Sequence, residues 1–218
     1  MGVKLKHSSG NGTVIGAPAA NPSADITLKA PSTTGSAGQV LSVASANHSS
    51  TNAELEWAAV SGGLTAAAQF RVTSSFTGDA APISSNWEQV DSTGQGILGT
   101  WADPSSGVFT FPATGFYLVS FGMVMATAGQ SAYLENKIQL TTDNGSNWHY
   151  VATGNCNISD QTGTTYEAGN YCQTLVDVTD TAQVKVRFDC NIESNSANVI
   201  CNSTRNQTYV TLIRLGDT

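Results

Sequence analysis

Residues 107–126, GVFTFPATGFYLVSFGMVMA, consist of two apolar runs joined by the short segment Pro112-Ala113-Thr114-Gly115. Pro and Gly are residues of tight turns, and both runs are rich in the β-branched and aromatic residues that favour strands. The pattern therefore predicts a strand, a turn and a second strand. The second strand, residues 115–126, is largely apolar on both of its faces, so a sheet that contains it has to be covered on both sides.

Composition predicts that most of the chain is built in the same way. Charged residues make up only 11% of the 218 residues, against roughly 25% in an average soluble protein. Leu, Glu and Lys are scarce at helical spacing, which disfavours helices. We expect ten short strands at about residues 68–76, 86–91, 98–101, 107–111, 115–126, 132–141, 148–153, 167–178, 183–190 and 207–215. Asp143-Asn144-Gly145 is a hairpin signal because Asn and Gly tolerate a positive φ, and the whole pattern is typical of a β-sandwich.

Residues 1–62 differ from the rest. They are rich in small polar residues and hold apolar islands of two to four residues at Val14-Ile15, 26–28, 40–43 and 55–57. Strands this short cannot bury a core alone, so they need neighbouring copies of the chain or a partner surface; a disordered tail is the alternative. Ser61-Gly62-Gly63 is typical of a hinge. We therefore expect an N-terminal attachment or neck segment at residues 1–62 and a head domain at residues 63–218.

The spacing of Phe109, Gly115, Tyr117 and Phe121 resembles the central signature of C1q-like heads, which share their shape with tumour necrosis factor. The strand at residues 209–215, at the C-terminal end, also matches that family. Two positions depart from it, because Ala102 stands where the family has an aromatic residue or Leu, and Val119 replaces an aromatic residue. The resemblance covers residues 66–216 and implies an all-β, C1q/TNF-like jelly-roll sandwich that is homotrimeric.

Strands that are apolar on both faces indicate where copies of the head would meet. One face of residues 115–126 and of residues 209–215 fills the sandwich core, and a neighbouring subunit is the natural cover for the other. The candidate trimer interface consists of Phe116, Leu118, Tyr209 and Ile213. The alternative is that the chain's own loops or residues 1–62 cover this face.

The segment ITLKAPSTTGSAGQVLSV, followed by ELEWAAV, resembles a recurring unit of bacteriophage tail-fibre and virion-appendage proteins. In that family the unit forms a trimeric neck between an attachment region and a head. The resemblance implies a virion structural protein, made in the host cytoplasm, that contacts other virion proteins through residues 1–62. It would serve as a tail fibre or capsid decoration, with host attachment through a surface glycan or receptor. The alternatives are a cellular C1q-like carbohydrate-binding or adhesion protein and, with less support, a glycan depolymerase.

Several function classes are disfavoured. No Walker loop, Rossmann fingerprint, G-x-S-x-G elbow or H-E-x-x-H motif occurs, and only three His are present, so we expect no enzyme. A net charge of -7 with nine Lys plus Arg disfavours nucleic acid. No run approaches 18 apolar residues, and residues 1–16 lack the apolar region of a secretory signal, so we expect neither membrane insertion nor secretion.

We expect no cofactor; calcium is the one ion that the C1q resemblance allows. The polar segments 154–166 and 191–207 are expected to be loops, either simply solvated or able to hydrogen-bond sugars.

All four cysteines, Cys156, Cys172, Cys190 and Cys201, lie in the last third of the chain. No C-x-x-C pair exists and no His lies among them, which disfavours zinc. Loop closure favours disulfides between sequence neighbours, Cys156 with Cys172 and Cys190 with Cys201. Free buried thiols are the equally supported alternative if the protein folds in a reducing cytoplasm.

Overall fold

The structure is a computed structural model, and it describes residues 3–6, 12–15, 27–49, 52–59, 63–159, 165–193 and 197–218. Contacts divide the chain into two units, Met1–Gly62 and Gly63–Thr218. Each unit is built from β-strands over the described residues.

The first unit contains two small sheets. Strands β1 (Val3–Lys6) and β2 (Gly12–Ile15) form an antiparallel pair. Strands β3 (Thr27–Lys29), β4 (Gln39–His48) and β5 (Asn52–Ala59) form a sheet in the order β3-β5-β4, in which β3 and β5 are parallel. The predicted islands therefore lie in strands, except that Ile26 is outside the described residues. Leu28, Val40, Leu41 and Val43 stay about half exposed or more, so this sheet leaves apolar side chains uncovered within its own unit.

The second unit consists of two larger sheets. The seven-stranded sheet contains β6 (Ala67–Val72), β7 (Phe76–Thr77), β8 (Trp87–Gln89), β10 (Gly115–Thr127), β13 (Tyr166–Val178), β15 (Asn198–Ile200) and β16 (Tyr209–Gly216). The four-stranded sheet contains β9 (Phe109–Thr110), β11 (Ser131–Thr141), β12 (His149–Ile158) and β14 (Lys185–Ile192), in the order β12-β11-β14-β9. In the seven-stranded sheet β10 pairs with β13 along its whole length on one side and with β16 and β15 on the other. β10 is thus central, as its two apolar faces require.

The strand predictions were wrong in three places. Residues 98–101 do not form a strand: Leu98 only bridges to Ala67, and glycines at positions 96 and 99 interrupt the apolar run. The expected loop 154–166 is strand as far as Ile158, because polar side chains alternate along an exposed edge strand there. The expected loop 191–207 contains the end of β14 and the short strand β15.

The core of the second unit lies between the two sheets and is rich in aromatic rings. Phe188 of β14 is fully buried and packs against Phe109 and Phe121, with ring centroids 5.1 and 5.2 Å apart. Phe109 also meets Phe70 edge to face at 5.2 Å, which joins the two sheets across the sandwich. Alternate residues of β10 from Tyr117 to Met125 point into this core and are at most 1% exposed. The predicted inner face of β10 is therefore confirmed.

The signature glycine has a structural reason. Gly115 adopts φ +134°, and a Cβ at this position would lie 2.3 Å from the carbonyl oxygen of Gly216. Only glycine lets β10 start this close to the end of β16. Tyr117 then donates its hydroxyl to the carbonyl of Ala113 at 2.9 Å, which closes the turn that precedes the strand. The Asn144-Gly145 turn is also confirmed, with φ values of 58° and 93°.

Candidate interaction surface

The outer face of the seven-stranded sheet carries large apolar side chains. Burial alternates along β13, and on β10 the outward-pointing Phe116, Leu118 and Val124 are partly or largely exposed. Phe116 is 42% exposed, Tyr171 is 52% exposed and Leu175 is 64% exposed. We call this surface the apolar face and define it by Phe116, Leu118, Tyr171, Leu175, Tyr209 and Ile213.

Strand register brings these residues together. Leu118 of β10 lies directly between Leu175 of β13 and Ile213 of β16, so three aliphatic side chains form a row across the sheet. Gly122 lies in the same way between Tyr171 and Tyr209. The four residues predicted for the trimer interface thus share one face of one sheet. Tyr171 and Leu175 were missed, although the alternation of β13 already places them on the face that contacts Leu118.

Two shallow grooves shape the apolar face. One holds about 340 Å³ and lies over β6 and β16, between Ala67, Ile213 and the segment with Ile97 and Leu98. The other holds about 410 Å³ and lies over Gly122, between Tyr171 and Tyr209. The Tyr209 ring covers Gly122 so closely that a Cβ at position 122 would lie 2.9 Å from a ring carbon. Small residues and aromatic walls therefore give this face the relief that a complementary protein surface can fill.

A buried arginine borders the apolar face on β6. Arg71 is fully buried and pairs with Glu88 and Asp91, each at 2.6 Å. Its Nη1 also donates to Ser92 Oγ at 3.0 Å and Gln95 Oε1 at 3.2 Å. These bonds fix the segment after β8 over the outer side of β6. The role of this arginine was not predicted, because a single cation within an apolar strand is just as typical of a solvated position.

The four-stranded sheet also exposes Tyr133, Tyr150 and Val151, but its outer face carries charged and amide side chains as well. Lys137 and Glu135, two residues apart on β11, form an ion pair at 2.5 Å. This pair lowers the pKa of Glu135 and raises that of Lys137. Next to it, Gln139 donates to the buried Asp189, which also accepts from the Tyr150 hydroxyl at 3.2 Å. The outer face of the four-stranded sheet therefore carries an ion pair and hydrogen-bonded polar groups beside its exposed tyrosines.

The cysteines do not form the expected pairs. Cys156, Cys172, Cys190 and Cys201 are all free thiols in the structure, and all but Cys156 are buried. Burial raises the pKa of Cys172 and Cys201 to about 11 and that of Cys190 to about 12. The structure therefore has the second alternative, in which the thiols pack as small apolar groups.

No cluster of three or more His, Cys, Asp or Glu side chains that could hold a metal occurs among the described residues. The carboxylate of Asp143 serves the predicted hairpin turn. Asp143 accepts from Thr141 Oγ1 at 2.7 Å and from the Asn147 backbone and side chain at 2.9 and 2.6 Å. These bonds lower its pKa to about 2 and stabilise the turn itself. Within the described ranges there is no helix with the length and hydrophobicity of a membrane span.

Comparison with solved structures identifies the fold. The chain is similar to murine APRIL crystallised at pH 5.0, with 7% identity, a TM-score of 0.50, and coverage of 69% of this chain and 98% of that chain. It is also similar to Eiger TNF from S. frugiperda, with 12% identity, a TM-score of 0.49, and coverage of 72% of this chain and 96% of that one. No family model matches the sequence. No curated protein matches it either. The likeness establishes a TNF/C1q-like jelly roll, and the expected all-β jelly-roll sandwich is confirmed.

Proposed function

We propose that the chain is a non-enzymatic structural protein that assembles as a homotrimer and displays its jelly-roll head on a bacteriophage particle. The observation that carries the proposal is the apolar face, a set of large apolar side chains that strand register brings together and leaves exposed on one sheet. A contiguous exposed apolar patch on a soluble protein marks an interaction site. Because the C1q/TNF-like heads that the sequence resembles are trimeric, a second and a third copy are the partners we assign to it.

The geometry of the face suits a closed ring of copies. The Leu175–Leu118–Ile213 row begins at the outermost strand, β13, and continues toward the groove beside Ile97 and Leu98. One copy can therefore place its β13 edge against the sheet face of the next. In such a head-to-tail contact each copy buries its β13 edge against one neighbour and its sheet face against the other neighbour. The ring closes after three copies if each copy is rotated by a third of a turn relative to the last.

The first unit supports a role as a neck. Its described strands are short, and Leu28, Val40, Leu41 and Val43 are exposed within that unit. Three parallel copies of the segment would cover one another's apolar side chains, as the resemblance of residues 26–57 to phage appendage units implies. Attachment to other virion proteins through residues 1–62 follows from that resemblance alone and is part of the proposal.

The non-enzymatic assignment rests on how the titratable groups are used. Each shifted pKa in the described residues has a local structural cause: burial for the thiols and Tyr117, a turn for Asp143, and a surface ion pair for Glu135 and Lys137. None of these groups is placed beside a nucleophile in a cleft, as a catalytic pair would be. Binding by three copies together is therefore the mechanism we propose, because avidity lets weak single sites act jointly.

The test is the protein content of purified phage particles. Particles produced from the genome that encodes the chain are purified by density gradient, and the chain is quantified by mass spectrometry against the major capsid protein. The proposal predicts the full-length chain in the particles at a copy number divisible by three. A tagged chain that lacks residues 1–62 should form a folded trimer but stay out of the particles. Absence of the full-length chain from particles, with recovery on a cell surface, would contradict the virion role and support the cellular adhesion alternative.

A further inference from the structure

A groove of about 350 Å³ lies on the four-stranded sheet, away from the apolar face. Its floor is formed by Thr110 of β9 and by Lys185 and Arg187 of β14, and Thr110 is paired directly with Lys185. One wall is the turn from Ser105 to Val108, and the other is the turn that ends at Trp148. Its volume is in the range of small-molecule sites.

Two cations in the groove form no ion pair with a carboxylate of the described residues. Arg187 Nε and Nη2 donate to Gln139 Oε1 at 3.2 and 2.9 Å, and its guanidinium lies over the Trp148 ring at 4.3 Å. Lys185 donates to the amide oxygen of Asn144. The direct partners of both cations are neutral, and Gln139, which accepts from Arg187, in turn donates to the carboxylate of Asp189.

Three of the other four cations of the second unit behave differently. Arg71, Lys137 and Arg214 each form an ion pair with a carboxylate, whereas Arg205 lies in the polar loop 201–208. In a chain with nine Lys plus Arg and a net charge of -7, two adjacent cations without a carboxylate partner in the described residues are a local exception. The nearest turn carboxylate, Asp143, is occupied by its own hydrogen bonds to Thr141 and Asn147.

Both walls of the groove are pre-formed. Ser105 and Val108 exchange two backbone hydrogen bonds at 3.1 and 3.0 Å. Gly107 in this turn has φ +76°, and a Cβ there would lie 2.3 Å from the carbonyl oxygen of Ile83, so the turn is fitted closely to the segment before β8. On the other side, Asn144 donates its backbone N–H to the carbonyl of Gln183 at 3.0 Å. A ligand therefore meets an ordered site, which lowers the entropic cost of binding.

The remaining polar groups fit a sugar. Ser105 and Thr110 add hydroxyls to the groove, and the Trp148 indole N–H has no hydrogen-bond acceptor among the described protein atoms. Hydroxyl, amide and indole groups can donate to or accept from the hydroxyls of a saccharide. A planar guanidinium held in place binds a carboxylate through two parallel hydrogen bonds.

We propose that this groove binds an acidic saccharide, with a sugar carboxylate between Lys185 and Arg187 and sugar hydroxyls bonded to Ser105 and Thr110. The site deepens the proposed host-surface role, and its biological purpose, although not its chemistry, rests on that function. Three grooves on one trimer would bind a repeating acidic glycan with avidity, because each groove lies on the sheet opposite to the apolar face.

The test measures binding of the purified full-length chain to immobilised polygalacturonate and to a neutral galactan of similar length by surface plasmon resonance. We expect at least tenfold tighter binding to the acidic polymer, with an affinity that falls as salt rises. Equal binding to both polymers, or to neither, overturns the proposal. Particle incorporation is measured separately, so failure of the glycan site and failure of the virion role are distinguishable.

A matched pair of double variants locates the site. Lys185→Gln with Arg187→Gln removes the groove cations, and Lys137→Gln with Arg205→Gln removes two charges elsewhere on the head. We expect the first pair to weaken polygalacturonate binding at least tenfold and the second to change it less than twofold. Equal loss in both variants would show attraction by overall charge and overturn the proposal. Lys185→Gln alone, a single change on the sheet surface, should show a smaller loss in the same direction if the double variant folds poorly.

Discussion

Replacing Leu175 by Asp should dissociate the proposed trimer while leaving the head folded. Leu175 lies on β13 opposite Leu118 and is 64% exposed in the single chain. Because the side chain is mostly exposed in the single chain, the stability of one copy depends little on it. The stability of an interface that covers the side chain would depend on it more. Asp at this position would bring a charge into the centre of the apolar face, where desolvation penalises it.

The size of the effect follows from the exposed fraction. Full burial of a Leu side chain stabilises by about 1.5–3 kcal/mol, so covering the exposed two-thirds contributes about 1–2 kcal/mol for each copy. Three copies together contribute about 3–6 kcal/mol, which lowers the trimerisation constant by about 10²- to 10⁴-fold when they are lost. Since the midpoint concentration of a monomer–trimer equilibrium varies as the inverse square root of that constant, it should rise about 10- to 100-fold.

The assay is sedimentation equilibrium over a dilution series, with Val151→Asp as the control. Val151 is an exposed apolar strand residue as well, but it lies on β12 of the four-stranded sheet. The control variant therefore has the same free-energy penalty for Asp in a strand, but it leaves the apolar face unchanged. An unchanged midpoint for Leu175→Asp, or equal shifts in both variants, would refute the assignment of the interface, and circular dichroism would show that both variants remain folded.

Three further predictions concern the fold itself. Phe188→Ala, which removes the ring that packs on Phe109 and Phe121, should lower the free energy of unfolding by about 3–5 kcal/mol in urea titrations; a loss below about 1 kcal/mol would contradict the central position of this ring. The lowered pKa of Asp143 means that its contribution to stability is present above the ordinary pKa of 3.8 and is lost as pH falls toward about 2; Asp143→Asn should therefore reduce the acid sensitivity of the urea midpoint between pH 5 and pH 2, and an identical pH profile would oppose this reasoning. A disulfide-exchange reagent at pH 8 should modify Cys156 in the native protein and reach Cys172, Cys190 and Cys201 only after denaturation; rapid native modification of all four thiols would contradict their burial.

Sequence reasoning succeeded where a local pattern decides the structure. The two-residue alternation of residues 115–126 identified a strand and its inner face. Successive side chains of a strand point to opposite faces of the sheet, so every second residue lies in the same environment. The Asn144-Gly145 turn was recognisable because a positive φ restricts the choice of residue. The spacing of Phe109, Gly115, Tyr117 and Phe121 also reflects packing, since Gly115 is required by the approach of Gly216 and Phe109 and Phe121 both contact Phe188.

Features that depend on distant parts of the chain were not predictable in this way. Arg71 is buried because β8 and the segment after it pack against β6 and supply Glu88 and Asp91. The groove cations Lys185 and Arg187 are separated from their neighbours Asn144 and Gln139 by about 40 to 50 residues. The Lys-x-Arg spacing on a strand indicates that the two cations share one face of the sheet. Whether a carboxylate of another strand pairs with them depends on how distant segments fold together.

The most direct test of the central claim is the mass of the intact chain in solution, measured by light scattering coupled to size exclusion at several dilutions. The claim that the apolar face is covered by further copies predicts a stable species of three times the 22.6 kDa chain mass. A chain that stays monomeric at the highest concentration would contradict the homotrimer and leave the apolar face to a different protein.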